Sequence, residues 1–172
     1  VFTRHKILLG ILLEAPHVPT RTELMNWVFL LKQETHLRSE PAFYDFVPYR
    51  NGPFSFTVYH DLDELARLGY LNGERLRPQH DLLSEARESF NSVPENLRQA
   101  MRTVLARYGR LPQSRLVRLV YEKYPWFASR SELNGTPERT PKRRAAVYTA
   151  GYEGESIETF LRKLLKAGIV RI

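Results

Sequence analysis

The stretch from Phe43 to Gly73, FYDFVPYRNGPFSFTVYHDLDELARLGYLNG, limits the folds open to this chain more than any other part of it. Phe43 to Tyr49 is rich in aromatic and β-branched residues and reads as a strand. Asn51-Gly52-Pro53 reads as a turn, because Asn and Gly tolerate positive φ and Pro presets φ for entry into a helix. The residues that follow keep Phe54, Val58, Leu62 and Leu65 on one face, so a helix is expected as far as Gly69. Tyr70-Leu71, a turn at Asn72-Gly73 and the segment Glu74 to Pro78 then predict a short hairpin.

Strand, helix and hairpin in that order read as the recognition half of a winged-helix-like domain over residues 1–80, with the hairpin as its wing. Thr3 is placed to cap a first helix ending near Glu14, in which Ile7, Leu8, Ile11 and Leu12 form an apolar stripe that Leu9 and Leu13 widen. A helix apolar most of the way round belongs in the core, or else against a second subunit in a homodimer; the core is the favoured reading. After the loop Pro16 to Pro19, Thr20 and Glu23 form a capping box, in which hydroxyl and carboxylate satisfy reciprocal backbone donors. Leu24, Trp27, Val28 and Leu31 then repeat at helical spacing to Glu34.

Helical patterning resumes at Asp81 and breaks near Asn91 to Pro94. Leu97, Met101, Val104, Leu105 and Tyr108 follow one helical stripe, and a further helix from Pro112 to Tyr124 carries Arg115, Arg118 and Glu122 on one face. Trp126 and Phe127 are expected to pack this pair, a helical extension over residues 81–133, onto the first domain. Residues 134–144, NGTPERTPKRR, have linker composition with three consecutive basic residues. Ala145 to Thr149 reads as a strand, Gly151 to Gly154 as a tight loop, and Ser156 as the N-cap of a helix to Lys166 stopped by Gly168. Ile169 to Ile172 opens a second strand. Residues 145–172 therefore read as an incomplete α/β unit, too small to fold alone, and the chain is expected to be a fragment of a longer protein. The fold class expected is mainly α with short strands (α+β).

Composition excludes several chemistries. The 172 residues contain no cysteine, which removes disulfides, thiol catalysis and cysteine-ligated zinc. The longest apolar run, Ile7 to Leu13, is too short to span a bilayer, and the reading is a cytoplasmic protein without a membrane partner. Net charge is +7, unevenly spread: −1 over residues 1–73, +4 over 74–118 and +3 over 129–146.

Two family resemblances cover different ends of the chain. With Tyr49, Gly52 and Pro53 in a Y-x-x-GP turn, then Val58, Tyr59 and Leu62, and with Ser131 to Leu133 after YPWF, about the first 130 residues resemble prokaryotic proteins related to the Panacea antitoxin domain. That resemblance implies a helical, winged-helix-like fold used in partner binding or regulation, often near defence or mobile-element functions. The end of the chain, VYTAGYEGESIETFLRKLLKAGIVRI, carries Thr149, Gly151, Tyr152, Gly154, Ser156 and Phe160 at the positions of a T-x-G-Y-x-G-x-S motif. It is similar to the opening of a widespread prokaryotic α/β domain family of unknown function, whose remaining units would follow residue 172.

A winged helix reads DNA with basic or amide side chains on its third helix. Here that helix offers Asp61, Asp63 and Glu64, with Arg67 at its far end, so insertion beside a phosphate backbone is disfavoured. The leading expectation is a regulatory module that binds nucleic acid elsewhere: through Arg75 and Arg77 of the wing, Arg98, Arg102, Arg115 and Arg118 of the helical pair, and Lys142, Arg143 and Arg144 of the linker. The alternative is a protein-interaction module, antitoxin-like or an adaptor, using Phe54, Phe56, Tyr59, Asp61 and Glu64. A third reading is the N-terminal part of an enzyme whose catalytic domain begins near residue 145. Gly151, Tyr152, Gly154 and Ser156 form a candidate anion loop at a helix N-terminus, although glycines at such a turn need no ligand to explain them. His60-Asp61 with Asp45 has no metalloprotease-like spacing and no second histidine at helical distance. No catalytic residue, metal or cofactor is expected within these residues.

Overall fold

The computed structural model describes residues 3–40, 42–72, 76–129, 131, 151, 153–155, 157–167 and 169. The described elements are α1 (Thr3–Glu14), α2 (Arg21–Glu34), β1 (Val47–Tyr49), β2 (Gly52–Phe54), α3 (Phe56–Arg67), α4 (Leu83–Asn91), α5 (Glu95–Tyr108), α6 (Gln113–Lys123) and α7 (Ile157–Lys166), with short 3-10 turns at residues 36–39, 80–82 and 125–128. The fold is mainly helical with one short antiparallel sheet.

α2 lies at the centre because its sequence is apolar on nearly every side. Leu24, Trp27, Val28, Phe29, Leu30 and Leu31 are all fully buried, each such side chain contributing about 1.5–3 kcal/mol on leaving water. The capping box starts it as expected: the Glu23 N–H donates to Thr20 Oγ1 at 3.1 Å and the Thr20 N–H to Glu23 Oε2 at 2.8 Å. α5, α6 and β2 pack around α2, while α1 packs on α3, α4 and α5. Ile7, Leu8, Leu9, Ile11 and Leu12 of α1 are buried inside the chain, so its apolar surface needs no second copy to cover it. Thr3 is the first helical residue of α1, one position inside the capping role expected of it.

The helices expected to form an extension share this core. One cluster runs from Ile7 through Phe29, Leu65, Met101 and Leu116 to Phe127, so residue 80 marks no break in it. Phe127 stacks edge-on against Phe29 at 4.5 Å between ring centres, with Tyr124 at 5.1 Å from the same ring. α7 packs beside β1; its Leu164 is buried, and the Arg162 guanidinium lies 4.5 Å over the Trp126 ring. The strand expected at residues 145–149 and most of the one expected at 169–172 lie outside the described residues.

Around the Asn51-Gly52-Pro53 turn the structure departs from expectation. The strand is only Val47–Tyr49, paired Val47↔Phe54, Pro48↔Pro53 and Tyr49↔Gly52. Phe43, Tyr44 and Phe46 run ahead of it as buried loop, and the Tyr44 carbonyl is satisfied by Lys32 Nζ at 2.7 Å rather than by a ladder. Pro53 belongs to β2 and does not open the helix. Ser55 is the N-cap of α3, accepting from the Val58 N–H at 3.3 Å. Gly52 has φ +116°, and a Cβ there would stand 3.2 Å from Asn26 Oδ1, so only glycine lets the hairpin lie this close over α2. After α3 the chain pairs again at Leu71↔Pro78, with the Asn72 N–H donating to Arg77 O and the Gln79 N–H to Tyr70 O. This single bridge lies where the wing hairpin is expected, and residues 73–75 of its turn lie outside the described residues.

Candidate interaction face

The hairpin and the first turn of α3 converge on one aromatic surface. Phe54 stands at its centre, with ring centroids 4.9 Å from Tyr49, 4.9 Å from Phe56 and 5.7 Å from Tyr59. Local structure dictates this convergence: Tyr49 opposite Gly52 and Phe54 opposite Val47 are diagonal neighbours across the hairpin, while Phe56 and Tyr59, three apart, share a helix face. Phe56 is 67% exposed, Tyr49 46% and Tyr59 38%. Among the described residues five large hydrophobic side chains are exposed, and three of them sit on this one face, which makes it a patch rather than scatter.

Beside the rings is a cavity of about 200 Å³, lined by Arg21, Met25, Tyr49, Gly52, Phe54 and Tyr59 among others. The Arg21 guanidinium stacks 4.5 Å over the Tyr59 ring, and its Nη2 is 3.7 Å from Asp63. Its Nη1 is buried without a hydrogen-bond acceptor among the described residues. Asn26, fully buried next to Gly52, donates to Thr22 O at 2.8 Å while its Oδ1 has no donor among the described residues. Arg50 lies 5.9 Å from the centre of the Tyr49 ring. The face therefore combines packed rings with cations at their edge.

Of the residues expected to mediate protein contact, Phe54, Phe56 and Tyr59 come together and Asp61 and Glu64 do not join them. Asp61 is 2% exposed and turned toward α1. Its Oδ2 accepts from the Tyr44 hydroxyl at 2.9 Å and lies 3.3 Å from Arg4 Nε; its Oδ1 is 3.5 Å from His5 Nε2. Glu64, partly buried, has Oε1 3.6 Å from Arg67 Nη2 and Oε2 3.5 Å from His5 Nε2. The three carboxylates thus form no acidic surface, and Asp63 alone of them is largely exposed, at 64%, beside Arg21. The physical reason is helical phase: Asp61 shares the inward stripe of Val58, Leu62 and Leu65, and Tyr44 and Arg4 offset the cost of burying its charge. Burial, then the Asp61 charge, push the Tyr44 phenol well above its ordinary value.

The basic residues divide into paired and unpaired. Arg98 binds Glu95 and Asn91 Oδ1; Arg102 lies 3.2 Å from Glu14 and 3.6 Å from Glu95. Arg107 and Lys123 both bind Glu34. These cations are largely neutralised. Arg115 and Arg118 on α6, Arg110 before it and Arg77 of the wing are exposed and form no ion pair among the described residues. Arg75, Lys142, Arg143 and Arg144 lie outside the described residues.

No match came from protein-family models, from curated proteins or from solved structures. The site is therefore read from its own geometry.

At the candidate anion loop, Gly151 and Gly154 are exposed and Gly154 has φ +75°, while Tyr152 and Ser156 lie outside the described residues. Glu155, two residues before α7, pairs with Lys163 one helical stretch on. A carboxylate already stands where the helix dipole would favour an anion.

Proposed function

We propose that this chain is a protein-interaction module of the adaptor or antitoxin-like kind, presenting the aromatic and arginine face of the hairpin and α3 to a partner. The observation that carries this reading is the cluster of Tyr49, Phe54, Phe56 and Tyr59, with Phe56 two-thirds in water and Arg21 stacked at the edge. Tyrosine, phenylalanine and arginine are the residue types enriched at interface cores, where desolvated rings dominate the binding energy. Arg21 and Arg50 beside the rings suit a partner with an acidic rim. The double substitution Phe56→Ala/Tyr59→Ala should abolish co-purification of a partner with the tagged chain while leaving Tm nearly unchanged, because surface truncations fall within about 0.5 kcal/mol. Retention of the same partner by the variant would sink the proposal.

A second reading keeps nucleic acid as the ligand, favoured by the unpaired Arg110, Arg115 and Arg118 around α6. Fluorescence anisotropy with single- and double-stranded DNA at two salt concentrations separates the two. Binding that falls steeply with salt and is lost in Arg115→Glu/Arg118→Glu, but not in Phe56→Ala/Tyr59→Ala, would support it.

A further inference from the structure

Where α1 crosses α3, His5 Nε2, Asp61 Oδ1 and Glu64 Oε2 converge: the nitrogen is 3.5 Å from each oxygen, and the three atoms all lie within 4.8 Å of one another. His5 and Asp61 are 1% and 2% exposed, and Glu64 opens the cluster to solvent at one side. Each carboxylate uses its oxygens differently. The outer oxygen of Asp61 is held by Tyr44 and Arg4 and that of Glu64 lies against Arg67, whereas the inner oxygens both face His5. Such outer contacts fix the direction in which a ligand carboxylate presents its other oxygen. His60 Nδ1, on the exposed side, is 3.6 Å from the same Asp61 Oδ1.

We propose that these residues form a binding site for a first-row divalent cation, zinc by preference, with His5 Nε2, Asp61 Oδ1 and Glu64 Oε2 as protein ligands and water or His60 in the fourth position. Zinc bound at about 2.0–2.1 Å in a tetrahedron has ligand atoms about 3.3–3.4 Å apart, close to the separations from His5, whereas octahedral neighbours would sit nearer 3.0 Å. One imidazole with two carboxylates is borderline in softness, which suits zinc above magnesium or calcium. The ligands come from two helices, so the ion would tie α1 to α3. α3 also carries Phe56 and Tyr59, so occupancy would stiffen the mount of the aromatic face. The site rests on its own geometry and stands whether or not that face binds a protein.

The test uses the full chain stripped with a chelator. Zinc titration by calorimetry, or by competition with a chromophoric chelator, should give one saturable site per chain and a rise in Tm. Cobalt in place of zinc should show the intense visible bands of a tetrahedral centre. Glu64→Gln, at the solvent side of the cluster, should keep the fold and weaken zinc at least tenfold, and the imidazole signals of His5 should shift on zinc addition in the wild type. Replacing His17, His36 and His80 together should leave the affinity unchanged. Absence of saturable binding, equal affinity in Glu64→Gln, or loss of binding only in the triple histidine variant would each overturn the proposal. In the first case the His5 ring only packs between the two carboxylates where α1 crosses α3.

Discussion

Tyr44 and Asp61 show how a single buried bond sets a local balance. Tyr44→Phe removes the donor to Asp61 Oδ2 and should cost about 1.5–3 kcal/mol at neutral pH, measured by urea unfolding. The phenol's raised pKa also has a sign: its contribution is fully present below the ordinary tyrosine value of about 10 and is lost as pH rises toward the folded value. The stability gap between wild type and Tyr44→Phe should therefore narrow above about pH 10, by at most about 1.4 kcal/mol per pH unit. A gap constant from pH 7 to 11 would refute it. Gly10 gives a second residue-level prediction, because a Cβ there would stand 2.4 Å from the Phe90 ring. Gly10→Ala should destabilise by about 1–3 kcal/mol, and Phe90→Leu in the same chain should recover part of that loss. Strict additivity of the two would show that the contact is not the cause. Asp61 was legible as an α3 residue but its burial was not: a carboxylate is expected in water, and only Tyr44 and Arg4, distant in sequence, make its inward position tolerable.

At the scale of elements, two joints hold the helices in register. Thr20 closes the capping box of α2, and its hydroxyl also donates to Gln113 Oε1 at 2.7 Å, linking the starts of α2 and α6. Thr20→Ala should cost about 1 kcal/mol and Thr20→Ser much less. At the other end of α2, Glu34 accepts from the Tyr108 hydroxyl at 2.8 Å and Arg107 Nη1 at 3.2 Å, and also binds Lys123, gathering α5 and α6. Tyr108→Phe should cost about 1–2 kcal/mol by removing the donor to Glu34, whereas Glu34→Gln, which keeps an acceptor for that hydroxyl, should cost less because the cations it loses are half exposed and screened. An unchanged denaturation midpoint would show that apolar packing alone sets this joint. Helix existence and the capping box of α2 were legible because they depend on residues three or four apart, whereas Thr3 is itself helical and Ser55 rather than Pro53 opens α3. The short β1 was not, because a strand needs a partner, and residues 43–46 find a core and the Lys32 ammonium instead.

Over the whole molecule, a single core joins residues that the sequence pattern divides at 80. Phe29 touches Phe46, Tyr124 and Phe127, so Phe29→Ala should cost about 3–5 kcal/mol and lower the unfolding of α1 to α6 as one transition. Residues 1–80 made alone should lack native near-ultraviolet circular dichroism and bind hydrophobic dye, since α5 and α6 no longer cover α2. Cooperative folding of that piece would show two independent domains. No described helix is long and apolar enough to cross a membrane. The sequence by itself determined the helices, the capping box of α2 and the aromatic character of the turn before α3, because periodicity and turn chemistry act over a few residues. Only the tertiary structure decided which charges remain free. Arg102 meets Glu14 across 88 residues, Lys123 meets Glu34 across 89, and Asp61 meets His5 at the crossing of α1 and α3. Charge pairing depends on distance in space, and a local count of cations and anions along the chain contains no such distance.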